Sequence, residues 1–385
     1  MKRFLLLMMG FTLIAGGCQD GSVPTQSDSP ATLSEAGGAV KYWEAASSVR
    51  WNRIAIDLWR ARGGPAGRIN TYLSLAQYRA VLAAQDGNVG STHPSLAGAA
   101  AGASVVVLKQ FYPLDAAALD AELEAQRLET PWPGERHRDF AAGEAIGRDI
   151  GIEVLAFAAS DNFGVLDPGS PPVGPGFWTS SGAPTVRGNY GARPFFLTSG
   201  SELRSPPPPA FGSPEFLAAL AEVRTVSDSR TAEQLAIAQK WAPFSGVLFS
   251  EIATDLIVEH HRSEVEAARI LAYAHAAAFD ANIACFDTKF TYWFIRPSKA
   301  DPAITTPIGL PNHPSYPSAH SCETGAWVTV LADAFPSERT LLAAYAQEAS
   351  ISRLYAGIHY RFDLEAGEAI GRAAGRLALE RGGLE

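Results

Sequence analysis

Apolar residues recur at three- and four-residue spacing through most of this chain, a period typical of amphipathic helices. Many intervening positions are alanine, a strong helix former, and the alternating patterns that indicate strands are absent. The pattern therefore predicts an all-α fold composed of helical bundles. The segments that carry it are 40–62, 70–85, 97–111, 115–127, 139–158, 214–224, 230–241, 245–260, 263–293, 319–335, 338–357 and 363–381.

Residues 161–213 interrupt the helical pattern with many Gly, Pro and Ser residues, including the consecutive prolines 206–209. Such a composition is typical of loops and connections. It separates an N-terminal helical half, residues 39–160, from a C-terminal half, residues 214–385.

The two halves carry similar blocks in the same order. The heptapeptide Ala142–Arg148 recurs at Ala366–Arg372, 224 residues later, and His93-Pro94-Ser95 resembles His313-Pro314-Ser315. Either Ala-rich helices resemble each other by chance, or the chain contains a duplicated bundle. The shared order favours duplication and predicts two related four-helix-type bundles. The charged residues described below occur only in the second bundle, so we expect the active site there and a degenerate repeat in the first.

The composition narrows the classes of function. Of 385 residues, 47% are hydrophobic, enough for a sizeable core, and the net charge is −9 at pH 7. General nucleic-acid binders usually carry a basic surface stripe, so we do not expect that class, although a local basic pocket is compatible with the charge.

The first 18 residues have the organisation of a secretory signal: a basic start, the apolar run Phe4–Ile14, small residues and then Cys18. Small residues before a cysteine resemble a bacterial lipobox, in which that cysteine is lipidated. Ala15 stands where leucine is usual, so cleavage by the ordinary signal peptidase is an alternative. We expect an exported protein, anchored only by lipid at Cys18 to a bacterial membrane and facing the periplasm or the cell exterior. Residues 19–38 would be a flexible tether.

Two further cysteines, Cys285 and Cys322, flank the motif residues described next. An oxidising compartment would permit a disulfide between them. Two separate buried thiols are an equally acceptable interpretation, and both alternatives stay open.

The first candidate block runs from Lys289 to Pro297, with Lys289 and Arg296 among aromatic and aliphatic neighbours. In a helix their spacing places both cations on one face, two turns apart. A cation is costly to bury alone, so the block predicts an anion beside them. The alternative is a surface helix whose basic residues pair with Asp or Glu.

The second block runs from His313 to His320 and precedes a helical segment. Ser318 fits the N-cap, and Ala319 and His320 would begin the helix with free backbone N–H groups, which attract anions. His320 would then stand beside the anion, where an imidazole can transfer a proton. The alternative is a capped helix with an incidental histidine.

The third block contains Ser352 and Arg353 and, further on, His359 and Asp363. The guanidinium of Arg353 can bind an oxyanion with two hydrogen bonds. In helical geometry Asp363 would hold the His359 imidazole in one tautomer and leave the other nitrogen free to attack phosphorus or coordinate a metal centre. The alternative is a structural His–Asp pair.

Together the blocks resemble the signature of the superfamily of type 2 phosphatidic acid phosphatases and vanadium-dependent haloperoxidases. That signature reads Lys-x6-Arg-Pro, Pro-Ser-Gly-His and Ser-Arg-x5-His-x3-Asp. The first and third blocks are complete, and the second departs only at Ala319, which replaces glycine but keeps the backbone N–H that the family uses. The chain length and three upstream blocks are similar to the bacterial haloperoxidase-like branch. Those blocks are Arg193–Phe195, Ser213–Phe216 and Arg230–Gln234.

The resemblance implies a role for each motif residue. His359 would be the apical vanadate ligand or the phosphoryl-accepting nucleophile, His320 the general acid–base, and Asp363 the group that orients His359. The oxyanion would be bound by Lys289, Arg296, Ser318, the Ala319 amide and Arg353. His313 lies seven residues before His320, where bromide- and iodide-oxidising members carry histidine, which favours one of these halides.

The resemblance implies a haloperoxidase that uses vanadate and oxidises halide with hydrogen peroxide. The alternative on the same residues is an acid phosphatase that hydrolyses a phosphoester through a phosphohistidine. It would need no metal, because one Lys and two Arg supply the charge. A second alternative is a non-catalytic oxyanion-binding lipoprotein. In each case we expect small-molecule partners and no nucleic acid.

Overall fold

The computed structural model describes residues 46–87, 93–129, 131, 135–180, 182, 184–185 and 187–384. The predicted signal, Cys18 and the tether lie outside these residues. The described part contains thirteen α-helices and no β-strand, only isolated bridges, so the all-α prediction is confirmed. In this part no single helix has the length and hydropathy of a membrane span. Only the helices Ala232–Lys240 and Ser245–Glu259 taken together, bent by 81° to each other, meet that test.

The helices follow the predicted segments closely. Before the connection they are α1 (Ala46–Arg62), α2 (Ala66–Asp86), α3 (Leu96–Phe111), α4 (Ala116–Leu128) and α5 (Phe140–Ala158). After it they are α6 (Pro214–Ser229), α7 (Ala232–Lys240), α8 (Ser245–Glu259), α9 (Glu264–Tyr292), α10 (Pro297–Ala300), α11 (Ala319–Ala334), α12 (Arg339–Tyr355) and α13 (Arg361–Arg381). Short 3-10 turns lie at Pro113–Asp115, Arg187–Asn189, Gly200–Leu203 and Pro336–Glu338.

The long helix α9 is the centre of the core. Nearly all of its residues from Ala267 to Phe290 are buried, because α2 packs on it from the N-terminal half and α11 and α13 from the C-terminal half. Its first turn is fixed by a capping box, in which Ser263 and Glu266 each accept a hydrogen bond from the other's backbone N–H. The two halves therefore share one hydrophobic core.

The connection is an ordered loop that is tied to α9. The buried carboxylate of Asp280 accepts hydrogen bonds from the backbone N–H groups of Phe195 at 2.8 Å, Phe196 at 2.6 Å and Leu197 at 3.1 Å. Three backbone donors on one buried carboxylate hold this segment against the helix.

Glycines allow α13 to approach α11 closely. A Cβ atom at Gly371 would lie 2.2 Å from the carbonyl oxygen of Cys322, and one at Gly367 would lie 2.5 Å from that of Ser318. Side chains at these positions are therefore excluded by the neighbouring backbone. The contact brings the first turns of the two helices together, and those turns carry motif residues.

The packing of α5 on α3 has the same form. A Cβ atom at Gly147 would lie 2.1 Å from the carbonyl oxygen of Ala99. Ser95 caps α3 as Ser318 caps α11, so the structural counterpart of Ser95 is Ser318 and not Ser315. Duplication predicts such a likeness, and the duplication and the boundaries of the two halves stay predictions.

Gly371→Ala should destabilise the protein by about 2 kcal/mol, because the new methyl group forces α13 away from α11. Gly67→Ala is the matched control, since a Cβ atom there would meet only Phe244 at 3.6 Å. The control should change the free energy of unfolding by less than about 1 kcal/mol. Urea unfolding measures both, and equal stability of the two variants would contradict the close-packing account.

Candidate active site

The first block lies at the C-terminal end of α9. Lys289 is in the last turn, the helix ends at Tyr292, and Trp293 adopts a left-handed conformation with φ of 48°. Arg296 lies outside the helix in extended backbone, which the following proline favours. The expectation that Lys289 and Arg296 share a helical face is wrong, because the left-handed residue redirects the chain between them. Both side chains nevertheless contact the loop of the second block.

That loop surrounds the ammonium group of Lys289. The Nζ atom donates to the carbonyl oxygens of Pro314 at 2.9 Å and Ser315 at 2.8 Å, and also to that of Pro317. The side chain is fully buried. Burial lowers the pKa of Lys289 to about 8, because neutral carbonyl groups replace water around the charge only in part.

Arg296 joins the loop to the third block. Its Nε donates to the carbonyl oxygen of His313 at 3.0 Å, and its Nη1 donates to that of Ile358 at 2.7 Å. Nη1 also lies 3.0 Å from Nε2 of His359, and Nη2 lies 3.1 Å from Nδ1 of His313. A guanidinium can only donate, so Nε2 of His359 accepts through its lone pair. Nδ1 of His313 also lies 3.2 Å from the carbonyl oxygen of Pro314.

His359 precedes α13, and its pair with Asp363 forms across the start of that helix. The two residues do not lie within one helix, but the contact exists: Nδ1 of His359 lies 2.8 Å from Oδ2 of Asp363. Because Nε2 accepts from Arg296, we assign the proton to Nδ1, which donates to the carboxylate. Burial raises the pKa of Asp363 to about 6 and, with Arg296 nearby, lowers that of His359 well below its usual value.

The second block ends at the N-terminus of α11. Ser318 caps the helix as predicted, and its Oγ accepts from the backbone N–H of Ser321 at 3.3 Å. Its own backbone N–H donates to the carbonyl oxygen of Asp363 at 2.8 Å, which joins the two helix starts. The first-turn N–H groups of Ala319 and His320 have no acceptor within the helix, and the helix dipole makes this end favourable for an anion.

Arg353 and His320 both face the turn that follows α7, residues 241–244, which we call the cover turn. Nη2 of Arg353 donates to the carbonyl oxygen of Trp241 at 2.7 Å. Nε2 of His320 lies 2.9 Å from the same oxygen and 3.1 Å from that of Pro243, so this nitrogen carries the proton. Burial, followed by Arg353, lowers the pKa of His320 to about 3, and the ring is therefore neutral near pH 7.

Three buried cations in this cluster lack a carboxylate partner. Within the described residues no carboxylate oxygen lies within 4.0 Å of the charged groups of Lys289, Arg296 or Arg353, and Asp363 is paired with His359. Burial lowers the pKa of Arg296 to about 10 and that of Arg353 to about 9. Buried charge without a counter-charge is strongly unfavourable, so the cluster is suited to an anionic ligand.

The donor set fits a tetrahedral oxyanion such as vanadate or phosphate. Lysine and arginine provide charged donors, and the Ser318 hydroxyl and the first-turn amides of α11 provide neutral ones. A charged oxygen is a stronger acceptor than the carbonyl groups that these cations now contact. The lone pair on Nε2 of His359 adds a group able to coordinate vanadium or attack phosphorus. The individual roles of these residues stay predictions.

His313 lies directly beside Arg296, and its ring packs edge-to-face on Phe286 with centroids 5.4 Å apart. Two further contributions were not expected from the sequence. Ser315 donates to Oδ2 of Asp363 at 2.6 Å, and its position within the second block could have indicated it as a site residue. The carbonyl groups of the cover turn leave no signal in residue type.

The two cysteines beside the site are free thiols in this structure, and both are fully buried. Cys285 lies one helical turn before Lys289, and its Sγ is 4.0 Å from the carbonyl oxygen of Pro317. Of the two alternatives raised by the sequence, the structure therefore has separate thiols.

Solved haloperoxidases have the same fold. A structure described as the first bacterial vanadium-dependent iodoperoxidase is 23% identical, with a TM-score of 0.72, over 88% of this chain and 95% of that chain. An apo-type bacterial vanadium-dependent chloroperoxidase is 15% identical, with a TM-score of 0.64, over 81% and 91%. The holo-type bacterial chloroperoxidase is 14% identical, with a TM-score of 0.64, over 89% and 94%.

The chain therefore shares the all-α fold of these haloperoxidase structures. Residues 267–381 match the model of the PAP2 superfamily, and this segment contains all three motif blocks. The resemblance to that superfamily and to its bacterial haloperoxidases is thereby confirmed. No curated protein sequence matches the chain.

Lys289→Ala and Arg353→Ala should each weaken oxyanion binding by roughly 1.5–3 kcal/mol, because each removes charged hydrogen-bond donors from the cluster. Arg361→Ala is the control, since that exposed guanidinium pairs with Glu222. Calorimetric titration with orthovanadate measures all three variants. If either cluster variant binds orthovanadate with wild-type affinity, the substituted residue does not belong to the binding site.

Sulfate affinity should fall as the pH rises through about 8, where Lys289 loses its proton. The sign follows from the depressed pKa, because the charged form that attracts the anion exists only below it. Sulfate keeps the same charge across this range, so its own titration does not contribute. Lys289→Ala should bind weakly and lack the step. A step that persists in this variant would assign it to another group.

Proposed function

We propose that this chain is a vanadate-dependent haloperoxidase that oxidises bromide or iodide with hydrogen peroxide. The observation that carries the proposal is the cluster of buried Lys289, Arg296 and Arg353, which have no carboxylate partner among the described residues. Arg296 of this cluster contacts His359 directly. The neighbour titled an iodoperoxidase supports it through a shared fold over 88% of the chain. His313 beside Arg296 supports bromide or iodide as the halide.

The residues that would hold vanadate are the three cations, Ser318 with the Ala319 amide, and His359, whose Nε2 would coordinate vanadium. Bound vanadate would supply the activation of hydrogen peroxide for transfer of oxygen to the halide. The chain supplies the positive charge that withdraws electron density from the oxygen ligands. Packed helices and backbone carbonyls hold these donors in the cluster, and a bound oxyanion would take over hydrogen bonds that now go to the carbonyls.

The remaining residues orient groups and move protons. Asp363 accepts the Nδ1 proton of His359 and so keeps a lone pair on Nε2, which accepts from Arg296 in this structure and would turn to a bound oxyanion. His320 is the general acid–base, with its exchangeable proton on Nε2. The cover turn lies against His320 and Arg353 and limits access of water from that side.

An acid phosphatase is the second candidate, favoured by the superfamily match to the segment that holds every motif residue. His359 would attack phosphorus through Nε2 and form a phosphohistidine, and His320 would protonate the leaving alcohol. Water would then release phosphate. The same cations stabilise the charge of the phosphoryl group.

We also propose an exported protein anchored by lipid at Cys18, in which the small-molecule substrates reach the site from outside the membrane. The apolar run and the small residues before Cys18 support this placement. Labelled palmitate incorporation that is lost in Cys18→Ser would support lipidation, and incorporation retained in that variant would contradict it.

Two assays on one preparation separate the candidates. The vanadate-loaded protein should halogenate a phenol-type dye with bromide or iodide and peroxide, and the vanadate-free protein should be tested with p-nitrophenyl phosphate. His359→Ala should lose halogenation by at least about a hundredfold, because it removes the only vanadium ligand assigned to the protein. Arg372→Ala, an exposed partner of Glu368, is the control.

Robust phosphate release without halogenation at any pH would replace the first candidate by the second. Tight oxyanion binding with neither activity would indicate a non-catalytic binding protein. Activity retained in His359→Ala would remove this residue from its assigned role in either reaction.

A further inference from the structure

A cavity of about 450 Å³ lies next to the active site and is not used by any step described above. Four of the twelve residues that line it are aromatic, and we call it the aromatic cavity. It is formed by the end of α1, the start of α2, the connection, the cover turn and α9. The aromatic side chains that line it are Trp59, Phe163, Phe244 and Phe279.

The aromatic cavity offers flat apolar faces and amide groups rather than free charge. Phe163 and Phe279 are stacked with centroids 6.4 Å apart, and the ring planes of Trp59 and Phe244 are inclined by 45°. Arg68 is the charged residue in the lining, and its Nε donates to Asp161 at 2.7 Å. A charged ligand would therefore find no uncompensated partner among these residues.

Two asparagines provide the polar contacts. Asn189 and Asn282 both line the aromatic cavity and are largely buried. The amide nitrogen of Asn282 donates to the carboxylate of Glu323 on α11. A small recess below the cavity shares Phe244 and Asn282 with it and reaches Glu323. Apolar walls with a few convergent polar groups are typical of sites for small organic molecules.

The cover turn separates the aromatic cavity from the active site. Phe244 forms part of the cavity wall, and the preceding residue, Pro243, accepts a hydrogen bond from His320 through its carbonyl. The helices are shared as well. Asn282 lies two turns before Lys289 on α9, and Glu323 lies one turn after His320 on α11. The cavity and the catalytic groups are therefore adjacent across one short turn.

We propose that the aromatic cavity binds the organic acceptor of the halogen, an uncharged phenol-type arene. This inference rests on the proposed haloperoxidase function. Hydrogen peroxide, halide and a proton give hypohalous acid and water, so halide is oxidised and peroxide is reduced. The arene then attacks the halogen: a carbon–halogen bond forms, the oxygen–halogen bond breaks, and the hydroxide combines with the displaced ring proton to give water.

The chemistry of the lining favours this ligand class. Aromatic rings stack or meet edge-to-face on the walls at centroid separations such as those already present. A phenol hydroxyl can form hydrogen bonds with the amide groups of Asn189 and Asn282, whereas a purely aliphatic ligand cannot. A ring bound beside His320 would meet the oxidised halogen where it is released, before the halogen diffuses into solvent.

The test compares two reactions of the holoenzyme. Triiodide formation from iodide and peroxide needs no organic acceptor, and iodination of 2-naphthol does. Phe163→Ala and Trp59→Ala should raise KM for 2-naphthol by about fivefold or more, equivalent to about 1 kcal/mol of lost contact, and leave triiodide formation unchanged. Phe211→Ala is the matched control, because that exposed ring lies outside the lining.

Calorimetric titration of 2-naphthol into the protein without peroxide gives a second measurement. Saturable binding that weakens in Phe163→Leu and Trp59→Phe, which preserve most of the packing, would support the site if an alanine variant fails to fold. Unchanged KM in both cavity variants, or no saturable binding of 2-naphthol to wild type, would overturn the proposed arene site and leave the proposed haloperoxidase function standing. Absence of triiodide formation in wild type would instead overturn the proposed function. If wild type instead hydrolyses p-nitrophenyl phosphate and the cavity variants raise its KM, the cavity would bind a phosphoester.

Discussion

The burial of Lys289, Arg296 and Arg353 without carboxylate partners is the constraint on which the architecture of the C-terminal half depends. Each charge is held by backbone carbonyl groups, and these come from the loop before α11, the turn before α13 and the end of α7. Such contacts solvate a cation only in part, as the lowered pKa of all three shows. The elements that carry these carbonyl groups must keep their positions, so the fold around the site is rigid. The positive charge of the site is balanced only when an anion binds.

Glycines make this arrangement possible. The approach of α13 to α11 at Gly367 lets the backbone of Ser318 bond to that of Asp363. Gly357 has φ of +72°, and a Cβ atom there would lie 2.5 Å from the carbonyl oxygen of Thr305, so this position directs the chain toward His359. In the N-terminal half, Glu135 stands 224 residues before His359 and lies beside Ser95 at the start of α3. Arg138 lies 3.9 Å from the carboxyl group of Glu135.

The helices and the membership of the site could be predicted from the sequence, because three-to-four-residue periodicity and motif spacing are local properties. The geometry within the site could not. Helical spacing wrongly placed Lys289 and Arg296 on one face, since a left-handed residue between them ends the helix. The His359–Asp363 pair forms across the start of α13, which the four-residue spacing alone does not determine. The tautomer of His359 depends on Arg296, and the partners of Lys289 are backbone atoms. Contacts of this kind are set by tertiary packing and carry no signal in residue identity.

The central claim is that the three buried cations and the start of α11 form one oxyanion site. Equilibrium dialysis of the wild-type protein against orthovanadate at neutral pH tests it most directly. The account predicts saturation at one vanadate per chain, with phosphate competing for the same site because both anions are tetrahedral and use the same donors. No saturable binding, or vanadate binding that phosphate does not displace, would contradict it.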